Sequence, residues 1–361
     1  MMMSNNMHNN SERILYFDAI RAFAILCVVL LHVTGHLAEI MHYGPASIFS
    51  LSGYFELFAN NFFRIGIALF LMLSGALLLG RDWDIQGFFS KRIPRITKPF
   101  IFWSLIFTII LISSSYFIAK IDFVTHFGIM DMINVFVNTL LCKAPGSAVY
   151  WFFWTILALY ILMPILNEWI NSTGSDKIEY FLIVWMAYIF SVYTLMIPVP
   201  KQLSFFICPI GFAVLGYYLR YTDRKLFSSS VFAAILIVVP AIVMMLYSVS
   251  VVDSQILFVF HRYSILIMME ATGVFLLFKS SSSIDRLPVS FKNIIYSIAF
   301  CSYGMYLIHS QTIMVVRKIL PPSLGFTITY VVLFIVGFLL SWALIYILAK
   351  VPVINEWIGV K

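Results

Sequence analysis

Apolar residues run along this chain in long unbroken stretches, with the polar residues gathered in the gaps between them. Such stretches occur at 15–35, 61–80, 97–119, 150–169, 179–197, 203–220, 231–250, 257–279, 296–316 and 327–349. A bilayer core about 30 Å thick takes roughly 20 residues of helix per crossing. The stretches lack the period-two alternation of a membrane barrel, and a helix satisfies its own backbone in lipid. The pattern therefore predicts an all-α integral membrane protein of about ten transmembrane helices. The eighth stretch is the most interrupted, by His261, Arg262 and Glu270. The longest gaps, 36–60 and 120–149, contain Gly, Pro, Asn or Asp and leave room for short re-entrant or interfacial pieces. With no internal repeat and no long linker, one membrane domain is expected over 15–350, between a short segment 1–14 and a tail 351–361.

Composition agrees with the pattern. Hydrophobic residues make up 62% of the 361 and charged residues 11%, against about 45–50% and about 25% in ordinary soluble domains. The net charge of +7 matters through its placement. If both ends face the cytoplasm, 15 Lys and Arg lie on that side and 6 on the other; Arg21 and Arg64, in or at spans, complete the 23. That bias predicts N-in, C-in topology. Basic residues do not alternate with aromatics as nucleic-acid binding would require. Cys27, Cys142, Cys208 and Cys301 are far apart, without metal-ligand spacing, and read as packing residues. The N-terminal segment has no basic region and no small-residue cleavage site, so the first stretch is expected to be a retained span.

Candidate chemistry concentrates in that first span. Asp18, Arg21 and His32 occur in the segment DAIRAFAILCVVLLH. Eleven residues advance about 1100°, so Arg21 and His32 share one face, about 16 Å apart along the axis. Asp18 precedes Arg21 by three residues, which suits pairing. Ionisable groups in a membrane are costly and face a protein interior or a wet cavity. A structural Asp18–Arg21 pair near the interface is the simpler account of those two. It leaves His32 unexplained, and histidine is the usual general base near neutral pH.

Five segments in order then resemble acyltransferase family 3, the membrane-bound O-acyltransferases of surface glycans. R-x10-H in FDAIRAFAILCVVLLH looks like the family signature. GIALFLMLSGALLLG at 66–80 is similar to its second-span motif ending in Ser-Gly, here Ser74-Gly75. KRIPR at 91–95 resembles its basic motif RRxxR, with Lys91 in place of the first Arg, a change that loses the fork geometry of guanidinium. WFFWTILALYILMP at 151–164 and CSYGMYLIHS at 301–310 resemble later motifs, although Val149-Tyr150 precede Trp151 where relatives often carry His. In form the chain resembles the stand-alone members, such as the O-acetyltransferase of enterobacterial common antigen.

The resemblance implies transfer of an acyl group, usually acetyl, from cytoplasmic acetyl-CoA to a saccharide hydroxyl at a bacterial inner membrane. Acetyl-CoA would be a cosubstrate; no bound cofactor, metal or nucleic acid is expected, and the partners are the donor, a saccharide acceptor (lipid-linked in one version) and membrane lipids. His32 would be catalytic with Arg21, and Asp18 would orient Arg21. Lys91, Arg92 and Arg95 would hold the donor's phosphates, with Ser74 and Gly75 close to the donor path or in a helix seam. Trp151, Glu270, Tyr303 and His309 are second-rank candidates for the acceptor side. Whether His32 deprotonates the acceptor or carries the acyl group is left open by the sequence. The competing class is a flippase or exporter of a lipid-linked glycan, which intramembrane charges suit equally.

Overall fold

In the computed structural model, residues 14–41, 50–119, 128–251, 259–321 and 324–360 are described. These residues form twelve main helices and no strand: α1 (Leu15–Met41), α2 (Leu51–Phe62), α3 (Ile65–Leu78), α4 (Ile85–Ala119), α5 (Ile129–Leu140), α6 (Trp151–Asn171), α7 (Ser175–Tyr193), α8 (Lys201–Tyr221), α9 (Ser230–Val251), α10 (Ile265–Ser280), α11 (Val289–Ile319) and α12 (Phe326–Leu348). Each apolar stretch of the sequence falls on helix over most of its described length, the eighth only from Ile265. Among the described residues, six helical segments are long and apolar enough to cross a bilayer: Leu15–Leu37, Leu51–Leu78, Ile85–Ser113, Ala148–Asn171, Ser230–Val251 and Phe326–Leu348. That is fewer than the ten expected. Helix α10 has only 16 residues, and α7 opens on Asp176, Lys177 and Glu179. Helix α11 opens on the polar turn Val289–Asn293. The segment 1–13, residues 42–49 of the predicted gap 36–60 and residues 120–127 of the gap 120–149 lie outside the described residues.

Several boundaries move for local reasons. The gap expected at 36–60 is helical from Leu51, where the Ser50 side chain accepts the Gly53 N–H at 3.2 Å and caps α2. The gap expected at 120–149 holds α5, whose Asp131 carboxylate accepts the Gly128 N–H at 2.9 Å. Ser264 caps α10 through the Ile267 N–H, so His261 and Arg262 sit before that helix instead of inside a span. The largest shift is in α4, which begins twelve residues before the expected span and carries the KRIPR motif as helix, with Pro94 and Pro99 inside it.

Helix α1 is the centre of the bundle, packed against α2, α3, α10, α11 and α12. Its Ile20, Ala24, Ile25, Cys27, Val29 and Val33 are fully buried. Helices α9 and α12 lie at the periphery and expose rows of large apolar side chains, among them Val231, Ile235, Val239, Ile242 and Leu246 on α9 and Ile328, Ile335 and Ile347 on α12. Such rows match a lipid-facing surface. Helices α3 and α8 touch backbone to backbone. A Cβ added at Gly75 would lie 1.8 Å from the Ala213 carbonyl oxygen, and one at Gly216 would lie 1.9 Å from that of Met72. Small residues permit such approach between membrane helices. All four cysteines are free thiols; Cys27, Cys208 and Cys301 are buried, and Cys142, at the end of α5, is half-buried with φ 61°.

Candidate active site

A cavity opens beside α1, between α3, α4, α6 and α11. It encloses about 1000 Å³, its open mouth included, and is lined by Arg21, Ser74, Arg92, Arg95 and Tyr303 among other residues. Five separately predicted residues, from four helices, thus meet in one space. The helical course of the basic motif explains its division of labour. Arg92 and Arg95 are one turn apart and reach the cavity, while Lys91 is exposed and does not line it. The remaining walls are apolar and aromatic: Phe70, Leu73, Phe152 and Ile156. An apolar cleft with a few convergent polar groups is the usual form of a small-molecule site.

Asp18 is buried and its Oδ1 accepts from Arg21 Nη1 at 3.3 Å. It acts on the cavity through Arg21. Ser74 lines the cavity, and its hydroxyl donates to the Phe70 carbonyl at 2.9 Å. Gly75 does not line it, because it sits in the α3–α8 seam. Tyr303 donates to the Ile96 carbonyl at 2.7 Å, tying α11 to α4 beside Arg95.

His32 lies past the cavity, at the other end of the same α1 face, and pairs with His309 of α11. Their ring centroids are 4.7 Å apart at 70°. His32 Nδ1 is 2.8 Å from the Val28 carbonyl, and His309 Nδ1 is 2.6 Å from that of Tyr306. A carbonyl only accepts, so both Nδ1 atoms carry a proton, and in the neutral rings both Nε2 atoms present a lone pair. The Nε2 of His309 is buried without a hydrogen-bond partner among the described residues. Tyr303, Tyr306 and His309, three residues apart in turn, form a ladder on α11 from the cavity to the histidine pair, with the Tyr306–His309 ring centroids 5.9 Å apart.

Trp151 carries the Arg262 guanidinium over its ring, 4.0 Å from the centroid. Glu270 is fully buried in α10 with both carboxyl oxygens unpartnered among the described residues. It therefore does not satisfy the His261–Arg262 pair, since His261 stacks on Tyr193 instead, at 4.1 Å and 3°.

Tyr160, Ser302 and Tyr306 also line the cavity; they lie in the quoted motif segments but are not among the candidate site residues, whereas Gly359 and Val360 lie outside every motif. Tyr306 had a signal, being one turn beyond Tyr303. The C-terminal segment had none, because only folding brings it under α11. There Gly304 N–H donates to the Gly359 carbonyl at 3.1 Å, and Trp103 Nε1 donates to that of Ile358 at 3.2 Å.

A family profile described as an acyltransferase domain matches residues 14–346. The chain belongs to the acyltransferase 3 family. The match takes in α1, the cavity helices and both histidines, and with the apolar helices it makes the acyltransferase a multi-pass membrane protein. It ends before the Gly359-Val360 segment, so that wall of the cavity lies outside the family match. No curated protein and no solved structure matches the acyltransferase.

Proposed function

We propose that this acyltransferase moves an acetyl group from acetyl-CoA to a saccharide hydroxyl, with the donor entering from the basic, cytoplasmic end. The observation that carries the reading is the alignment of Arg21, Arg92 and Arg95 in one cavity whose α1 wall leads on to the His32–His309 pair. Arginine forks suit donor phosphates, and the apolar and aromatic walls suit the uncharged arm that bears the thioester. About 16 Å separates Arg21 from His32 along α1, which is the reach the arm has to cover.

In the favoured sequence His32 Nε2 accepts the proton of the acceptor hydroxyl as its oxygen attacks the thioester carbonyl. The C–S bond then breaks, and the departing thiolate takes up the proton from the imidazolium. The same lone pair serves a second route, in which Nε2 attacks the thioester carbonyl and the C–S bond breaks to release a thiolate; the acceptor oxygen then attacks the acyl-imidazolium, the N–C bond breaks, and the hydroxyl proton passes to the thiolate. Rapid-quench recovery of acetyl on the protein identifies the second route; its absence during turnover identifies the first. His309 stands behind His32 as a positioning group.

Purified full chain in detergent, supplied with labelled acetyl-CoA and mixed glycan acceptors, is expected to incorporate label into saccharide. Absence of label from every acceptor, with glycan movement across vesicles instead, would overturn this reading and favour a glycan exporter.

A further inference from the structure

Beyond the histidine pair lie two arginines that the transfer chemistry does not use. Arg64 stands at the junction of α2 and α3, and Arg262 just ahead of α10. One buried side chain fastens these two places together. Asn61 Oδ1 accepts the Phe260 N–H at 2.9 Å, while its Nδ2 donates to the Leu57 carbonyl at 3.0 Å and to Ser248 Oγ at 3.1 Å. Arg64 is three residues from this anchor and Arg262 two residues from Phe260. Arg64 Nε is held by the Asn60 carbonyl at 2.7 Å, which leaves its terminal nitrogens available. Arg262 is held flat on Trp151. Two residues beyond Arg64, Gly66 packs on α1 so closely that a Cβ there would lie 3.0 Å from Val28 Cγ2. Val28 is the residue whose carbonyl fixes His32. The Asn61 link thus holds the two arginine-bearing segments together, and Gly66 sets that junction against the α1 turn that fixes His32.

Both guanidinium groups are partly buried, and among the described residues no carboxylate lies within ion-pair distance of either. Two neighbouring cations without an acid raise each other's energy, more so as water is withdrawn. The fold nevertheless clamps both in place, one by a backbone carbonyl and one by an aromatic face. An oxyanion between them would reverse the sign of the interaction, and guanidinium forks are the preferred partners of carboxylate and phosphate.

We propose that Arg64 and Arg262 form an oxyanion-binding subsite beside His32 that selects an acceptor carrying a negative charge, a carboxylate or a phosphate on the glycan. This rests on the acyl-transfer reading for the word acceptor, but not for the binding itself. Trp151 and Asn61 are positioning residues: the first holds the guanidinium plane, the second holds the two loops together.

The test is thermal stabilisation of the purified full chain at low ionic strength by glucuronate, glucose 6-phosphate and glucose at equal concentration. The acidic probes, or one of them, are expected to raise the melting temperature above the effect of glucose, and the R64Q/R262Q double variant is expected to lose that excess. Arg64→Lys and Arg262→Lys, which keep charge without the fork, are expected to retain part of it; the detergent elution profile of each variant reports that it folds. A shift with glucuronate alone assigns an acidic sugar, and a shift with glucose 6-phosphate alone assigns a phosphate-bearing acceptor. Equal behaviour of all three probes, or an excess that survives in the folded double variant, overturns the subsite. Failure of labelled transfer with anion binding intact would count against the acetyl-transfer reading alone.

Discussion

At the scale of single residues, the proposed transfer turns on His32 Nε2. His32→Ala is expected to lower acetyl transfer by about 10²–10⁴, the usual range for a general base, with the donor's KM little changed. Full activity in that variant at matched expression would exclude the assignment. His309→Gln is expected to cost less and to act on kcat, since His309 meets His32 and not the donor. Arg92→Ala and Arg95→Ala should each raise the KM for acetyl-CoA by roughly tenfold or more, in keeping with about 1.5–3 kcal/mol for a hydrogen bond to a charged group. The effect should shrink as salt is added, which initial-rate measurements at two ionic strengths would show. Much of this was legible in the sequence because spacing on one helix is a local property. Arg21 and His32 share a face by arithmetic alone. What spacing could not supply was the partner of His32, since His309 is 277 residues away and only packing of α1 on α11 joins them.

At the scale of elements, two motifs change meaning once their helices are drawn. In sequence the basic motif falls just ahead of the third apolar stretch. As part of α4 it becomes a helical face, with Arg92 and Arg95 at the cavity and Lys91 away from it, and the Arg-to-Lys change at 91 loses significance because Lys91 is not at the cavity. Ser74-Gly75 divides in the same way, one residue lining the cavity and the next sealing α3 to α8. Gly75→Ala is therefore expected to act on stability: the Cβ meets backbone, which cannot rotate away, and overpacking of this kind costs about 1–3 kcal/mol. A melting temperature lowered by several degrees, with an unchanged KM in the protein that remains folded, is the expected pattern. A lowered temperature of half-inactivation in Gly216→Ala would show the same seam from the other side. Long apolar runs announced their helices because burial in lipid leaves no other solution. The boundaries were less legible, since caps such as Ser50 and Ser264 use residues that also occur in loops.

At the scale of the whole molecule, the C-terminal segment closes one wall of the cavity. Ile358 is fully buried, Gly359 adopts φ 85°, and Gly304 leaves just enough room for the Ile358 carbonyl. Outside the bundle, Lys98 pairs with Glu356 at 2.5 Å, and the ammonium holds the Glu356 carboxyl below the usual carboxylate range. A depressed folded-state pKa makes this contribution complete above the ordinary carboxylate value and lost as the pH falls through the depressed one. The pair is fully exposed on its acidic side, so it should matter as a local fastening. Limited proteolysis near residue 356 is expected to speed up under acidic conditions in the wild type, and to be fast already at neutral pH in Glu356→Gln. No sequence pattern announced this wall, because nothing local links residues 356–360 to α4 and α11.

The cysteines of the fold offer a different use. Three are sealed in the bundle, and Cys142 alone stands in a connection between helices, where burial raises its thiol pKa. Alkylation proceeds through the thiolate, so labelling should quicken as the pH rises and should fall on one position. The wild-type molecule thus carries its own address tag. A reagent that cannot cross the bilayer, applied to intact cells and then to inverted vesicles, reports which compartment the α5–α6 connection faces, without any cysteine having to be added or removed.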